Sequence, residues 1–198
     1  MKAKLFYAIS VVSILAMVVG FYSRPSVKAS ATTAAPTASA TPKKAAPKIA
    51  FYDNGVYDLK EFDGQNLDES DTEWKKVLTP IQFAILREAA TESPYTGSLT
   101  DNHEDGIYYC GACGLALFRS KAKFESGTGW PSFYEPIYKK NVIEKEDRSL
   151  PGEVRTEILC SRCHSHLGHV FDDGPQPTGL RYCMKSAALK FKSAKETR

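Results

Sequence analysis

Two CxxC pairs, Cys110/Cys113 and Cys160/Cys163, lie either side of residues 114–159, and a fifth cysteine, Cys183, follows them. Four thiolates offered by two turns can converge on one ion. Soft thiolates select zinc, and a tetrahedral site of four sulfurs keeps no open position for catalysis, so Zn2+ there would be structural. Vicinal disulfides, or a redox-active CxxC of the thioredoxin-like kind, are the competing uses of the same residues. An odd count leaves one thiol outside any pairing scheme.

If the four paired cysteines hold a metal, Cys183 is the one sulfur left to react. It stands in the alternating run Leu180-Arg-Tyr-Cys-Met184, and Arg181 and Lys185 share its parity. Side chains two apart on a strand point to the same face, so both cations would flank the sulfur and favour its nucleophilic thiolate form. A buried, inert cysteine is the plain alternative. His166 and His169, three apart directly after the second CxxC, are candidates for a polar pocket, against the ordinary role of core histidines. Trp130 lies in the Gly/Pro loop Ser126-Gly-Thr-Gly-Trp-Pro-Ser-Phe133, where packing and ligand binding are equally good uses of an indole.

The elements that must position these groups are short. Thr79-Pro-Ile-Gln82 carries a helix start, with Thr79 as N-cap, Pro80 at the first helical position and Gln82 closing a capping box. Ile81, Ala84, Ile85 and Ala89 would then face the core, and Ser93 to Gly97 would form the turn that ends the helix. From Gly106 onward strands are expected at residues 107–109, 115–118, 154–159, 169–171, 180–184 and 187–191, punctuated by Gly and Pro. Strands this short with turns this frequent predict a mainly β, mainly antiparallel domain with a few flanking helices.

The chain of 198 residues, 42% hydrophobic and 11% aromatic, can bury one good-sized core. Its net charge is +3 and its basic residues are scattered, so nothing forms the stripe that nucleic acid requires. Leu5 to Ser23 carry no charge; as a helix they would span roughly 28 Å, the hydrocarbon thickness of a bilayer. Residues 1–28 therefore read as a signal peptide or an N-terminal membrane anchor, with a small-residue cleavage site at Val27-Lys-Ala29, and the rest is expected outside the cytoplasm, exported or periplasmic. Residues 29–48 hold only Ala, Ser, Thr, Pro and Lys, a flexible linker. Residues 49–73 form an acidic extension, 74–192 the catalytic domain and 193–198 a short tail.

Together these stretches resemble the B-class methionine sulfoxide reductases, which reduce the R epimer of methionine sulfoxide. The matching residues are Leu78 to Phe83, Arg87 to Thr91, Gly106 to Cys110, Ser126 to Phe133, Cys160 to Pro175 and Arg181 to Leu189. The resemblance implies two antiparallel three-stranded sheets with short helices and a structural zinc on the two CxxC pairs. It places the nucleophile on Cys183, the pocket histidines on His166 and His169 and the methyl-binding indole on Trp130, with Arg181 and Lys185 beside the substrate. Attack of the thiolate on the sulfoxide sulfur would leave a sulfenic acid on Cys183.

Three positions depart from the family pattern. Thr128 stands where many members carry a resolving cysteine, so the sulfenic acid would need an external, thioredoxin-like or other thiol reductant. Lys185 replaces a common Asn, and His164 a common acidic residue. The expected activity is repair of oxidised methionine in proteins. A zinc-ribbon module that binds oxidised methionine or a partner protein without turnover, and a disulfide oxidoreductase using its CxxC pairs, are the other readings.

Overall fold

A computed structural model describes residues 59–195; the expected membrane segment and linker lie outside them. Among the described residues, no helix is long and apolar enough to cross a membrane.

Among the described residues, two short α-helices come first. The first, α1 (Asp71–Val77), is capped by Ser70, whose hydroxyl accepts from the Glu73 amide, and it carries acidic residues in its first turn and lysines in its last. Its Trp74 is fully buried. The second, α2 (Pro80–Glu88), has the expected capping box between Thr79 and Gln82, with Pro80 at its first position. It stops at Ala89, which takes a left-handed conformation, five residues before the Pro94–Tyr95 turn. Its buried face is Phe83, Ile85 and Leu86, whereas Ile81 is 52% exposed. The expected stripe was rotated because Phe83 and Leu86, three apart, carry more apolar area than Ile81 and Ala84.

Nine strands follow: β1 (Gly106–Cys110), β2 (Ala116–Arg119), β3 (Lys123–Phe124), β4 (Ser132–Phe133), β5 (Val142–Asp147), β6 (Arg155–Cys160), β7 (His166–Phe171), β8 (Arg181–Met184) and β9 (Leu189–Ser193). They make two antiparallel sheets, of order β2-β1-β9 and β3-β4-β8-β7-β6-β5. The expected pair of three-stranded sheets is thus one of three and one of six. The larger sheet gains β5, a polar edge strand of sequence Val-Ile-Glu-Lys-Glu-Asp, and the two-residue strands β3 and β4, none of which carries an alternating apolar signature.

Aromatic side chains join the sheets. Phe118 of β2 stacks on Phe133 of β4 with centroids 4.4 Å apart, and Tyr108 of β1 meets Phe133 edge-on at 4.9 Å. Residues ahead of α1 belong to the same packing: Leu67 is buried and its amide donates to the Arg162 carbonyl at 2.7 Å. Buried Asn141 ties three segments, donating to the Ala116 carbonyl at 2.7 Å and the Lys60 carbonyl at 3.2 Å while accepting from the Phe62 amide at 2.8 Å.

Candidate active site and four-cysteine cluster

Each CxxC forms a tight turn at the end of a strand. Gly114 donates its amide to the Cys110 carbonyl at 3.0 Å, and His164 does the same to Cys160 at 2.9 Å. Both turning residues have left-handed backbones, φ 70° at Gly114 and 55° at His164. The second turn is further fixed by Arg87 of α2, whose Nη1 donates to the Cys163 carbonyl at 2.9 Å.

The turns bring four buried sulfurs together, Cys110 against Cys163 at 3.6 Å and Cys113 against Cys160 at 3.5 Å, with all four within 4.8 Å of one another. All are free thiols, which sets aside the vicinal-disulfide arrangement. A metal held tetrahedrally at about 2.3 Å by sulfur needs neighbouring sulfurs about 3.8 Å apart, so the cluster has the right size and donor set for such an ion. Burial pushes the Cys113 and Cys160 thiols well above their ordinary value, whereas Cys163, despite its burial, is held well below it by hydrogen bonds with the neighbouring thiols and Ser165, so without a cation the cluster resists carrying four thiolates at once. The cluster can hold a metal ion.

Cys183 lies apart from that cluster, 7% exposed, at the floor of a cleft of about 730 Å³. The cleft is lined by Trp130, His166, His169, Arg181 and Lys185, every pocket residue expected from the sequence. The sheet register explains the convergence. Across the ladder, Ser132 of β4 faces Cys183 of β8, Cys183 faces His169 of β7, and His169 faces Glu157 of β6. Directly opposed residues on antiparallel strands share a face, so one row of the sheet forms the floor.

His166 and His169 are three apart and in a regular strand would point to opposite faces. A register irregularity opposite Ile158/Leu159 pairs His166 with Leu159 and Gly168 with Ile158, placing one extra residue in β7. This bulge brings both rings to the cleft, with centroids 5.5 Å apart. Gly168 is required here, because a Cβ would collide with the carbonyl oxygen of Cys183 on the adjacent strand.

Each imidazole is held by a carboxylate: His166 Nδ1 by Glu157 at 2.7 Å and His169 Nε2 by Asp147 at 2.8 Å. Burial nonetheless keeps both rings below the ordinary histidine value, so they are neutral near pH 7. With one nitrogen donating to a carboxylate, the other ring nitrogen of each is an acceptor. Asp147 also receives Arg155 Nη2 at 2.6 Å, and Ser149 helps hold its carboxyl far below the usual range.

The cations are arranged differently from one another. Arg181 is clamped by Asp173 through two 2.8 Å bonds and lies 4.4 Å from the Phe171 ring centroid, so it is a fixed wall. Lys185 falls just past the end of β8, its Nζ 4.3 Å from the Trp130 centroid, and burial lowers its basicity. Trp130 is packed and pocket-facing at once, its Nε1 donating to the Glu92 carbonyl at 3.2 Å. The Glu92 carboxylate in turn accepts from the Ser186 amide and, at 3.1 Å, from the Ala187 amide.

Sequence reasoning missed Glu92, Asp147, Arg155 and Glu157. Asp147 lies on the strand that had no apolar signature, and Glu92 just ahead of the expected turn Ser93 to Gly97, in a stretch given no element. Arg155 and Glu157 left a signal, two charged residues sharing one parity inside the expected strand 154–159.

A cation-flanked sulfur, two carboxylate-bound neutral imidazoles and an indole line one cleft of a β domain that also carries a four-thiol cluster, an arrangement suited to thiol chemistry. Residues 78–193 match the SelR domain. Peptide methionine sulfoxide reductase MsrB of Leptospira interrogans is 58% identical over 125 residues, 63% of this chain and 95% of that relative. The Methanosarcina barkeri protein of the same name is 56% identical over 130 residues, 66% of this chain and 91% of the relative. That from Thiobacillus denitrificans is 58% identical over 123 residues, 62% and 92% respectively. The chain belongs to the B-class methionine sulfoxide reductase family.

Proposed function

We propose that the protein is a peptide-methionine (R)-S-oxide reductase acting on oxidised methionine in proteins through Cys183. The observation that carries this reading is the row Cys183–His169–Glu157 with Trp130 lining the same cleft, residues suited to be nucleophile, proton carrier and apolar wall.

The neutral imidazole of His169 takes the Cys183 thiol proton, and the resulting imidazolium is held by Asp147. The thiolate attacks the sulfoxide sulfur, and the proton passes to the oxygen. The S–O bond and the newly formed S–S bond then both break as the hydroxyl passes to the Cys183 sulfur, leaving a sulfenic acid there: the thiol is oxidised by two electrons and the sulfoxide reduced by two to methionine. His166, bound to Glu157, is placed for the same transfer from the neighbouring ring. The S-methyl group packs on Trp130, and Lys185 and Arg181 offer positive charge to the oxygen.

Recycling consumes two thiols, which become a disulfide while water leaves from the sulfenic acid. With Thr128 at the loop position and the other four sulfurs in the cluster, the reductant is an external, thioredoxin-like or other thiol. The ion in the cluster is zinc, which four buried thiolates at this spacing favour, and its role is to staple β1 and β6. Leu5 to Ser23 export the domain or tether it to a membrane; fractionation of cells with an antibody to the domain checks this.

The test uses the full chain in detergent with separate R and S epimers of a methionine sulfoxide peptide. The expected result is consumption of the R epimer alone, one methionine per enzyme before dithiothreitol is added and sustained turnover after it. Equal consumption of both epimers, or of neither, overturns the assignment.

A further inference from the structure

The loop from Ser126 to Ser132 places three hydroxyls beside Cys183 that the reaction above leaves unused. Thr128 Oγ1 lies 3.9 Å from Cys183 Sγ, within the longer range of hydrogen bonds to sulfur. It is 2.8 Å from Ser126 Oγ, which is 2.8 Å from Ser132 Oγ. Ser132 is fully buried, faces Cys183 in the ladder, and also reaches the Trp130 carbonyl at 3.2 Å. The Thr128 amide donates to Ser126 Oγ at 3.4 Å, which fixes the middle of the chain.

Each hydroxyl owns one proton, and Ser132 donates to Ser126, which sets the direction of the chain. Ser126 is then free to donate to Thr128, and Thr128 to the Cys183 sulfur. This ordering suits a thiolate, which accepts and cannot donate.

We propose that Thr128 is a catalytic residue whose hydroxyl donates to the Cys183 thiolate, and that Ser126 and Ser132 are positioning residues that orient this hydroxyl toward the sulfur. The donors are already in place before the thiol proton leaves, so the sulfur is stabilised without admitting water to the cleft. The inference rests on Cys183 being the reactive sulfur. The other groups facing it are Arg181 on its own strand, Lys185 just beyond, His169 on β7 with His166 beside it, and Arg155 on β6, with Asp147, Glu157 and Asp173 as their counter-charges. Ser126 to Phe133 contribute no ionisable side chain, so the loop acts through hydroxyls alone.

Alkylation of Cys183 by iodoacetamide, followed by mass spectrometry of its peptide in the metal-loaded full chain, reads thiolate formation without requiring turnover. The ratio of the rate at pH 7 to that at pH 10 is compared across variants. Thr128→Val, which keeps the shape and loses the hydroxyl, is expected to lower the ratio about tenfold, the effect of one charge-assisted hydrogen bond. Thr128→Ser should restore it, and Ser126→Ala should lower it by a smaller factor, about threefold, through loss of support alone. A Thr128→Val ratio equal to wild type overturns the proposal, as does a Thr128→Ser ratio as low as that of Thr128→Val. Should Thr128→Val fail to fold, Ser126→Ala with a wild-type ratio overturns it equally. A lowered ratio in a protein that reduces neither epimer would leave the hydroxyl chain standing and remove the reductase assignment.

Discussion

The five cysteines are all buried, yet they occupy two opposite environments. In the four-cysteine cluster each sulfur sees other sulfurs at about the edge length of a coordination tetrahedron, and burial disfavours the Cys113 and Cys160 thiolates until a cation arrives. Around Cys183 the cations belong to the protein, and they are fixed by carboxylates or an indole at the rim of a cleft. Burial alone therefore separates nothing. What decides a cysteine's chemistry is whether its positive neighbour is a shared ion that fills every lone pair or a side chain that leaves one approach open.

The largest effects should follow from exchanging those roles. Cys183→Ser is expected to lower reduction by more than about a thousandfold, because the hydroxyl is a far weaker nucleophile, while the bound metal and the melting temperature stay as in wild type. Activity within tenfold of wild type in a peptide assay would mean that another sulfur reacts. Cys163→Ala should do the converse, releasing the metal and lowering the melting temperature by more than about 10 °C, since metal binding contributes directly to folding. Calorimetry with metal analysis decides this; an unchanged melting temperature would show that the cluster is not a staple.

A middle-sized effect separates the sites by pH. His166 and His169 are held below their ordinary value by burial, so on acidification the unfolded chain binds their protons first. Their contribution is present above about pH 6.5 and is lost as pH falls from there toward the folded values. Asp173, lowered by Arg181, and Asp147 keep their contribution until pH approaches about 4 and lose it only below that. With metal saturating, the melting temperature should fall by a few degrees between pH 7.5 and 5.5, and His166→Asn/His169→Asn should flatten that slope. An unchanged slope in the double variant would assign the acid sensitivity to the thiolate cluster.

The smallest effect compares the two CxxC turns. Gly114→Ala places a Cβ in a left-handed backbone and should cost about 1 kcal/mol, whereas His164→Gly relieves the same strain and should be neutral or stabilising by about 1 kcal/mol. Urea titration of the two variants reads the difference. Equal and opposite shifts would show that the turns are interchangeable despite their different residues.

These contrasts also explain what the sequence disclosed. The capping box at Thr79 and Gln82, the CxxC pairs and the parity of Arg181, Cys183 and Lys185 are local facts, written in spacings of two or three residues. Ile81 misled because a short helix with Ile81, Phe83, Ile85 and Leu86 offers two plausible apolar stripes, and only the packing of α2 against β7 chooses between them. Asp147 and Glu157 were illegible as partners of His169 and His166, since a carboxylate becomes a partner only through the register of β5, β6 and β7. The bulge that turns His166 into the cleft is likewise a property of paired strands, with no mark in the Leu-Gly dipeptide itself. Thr128 read as the absence of a cysteine; the hydroxyls around it give it a role of its own.

Glu92 holds Trp130 with its carbonyl and the Ser186 and Ala187 amides with its carboxylate. The indole wall and the segment leaving β8 therefore share one fastening. Opening this corner of the cleft is a single cooperative event, and the Ser186 and Ala187 amides should exchange their protons with solvent at a common rate set by that opening.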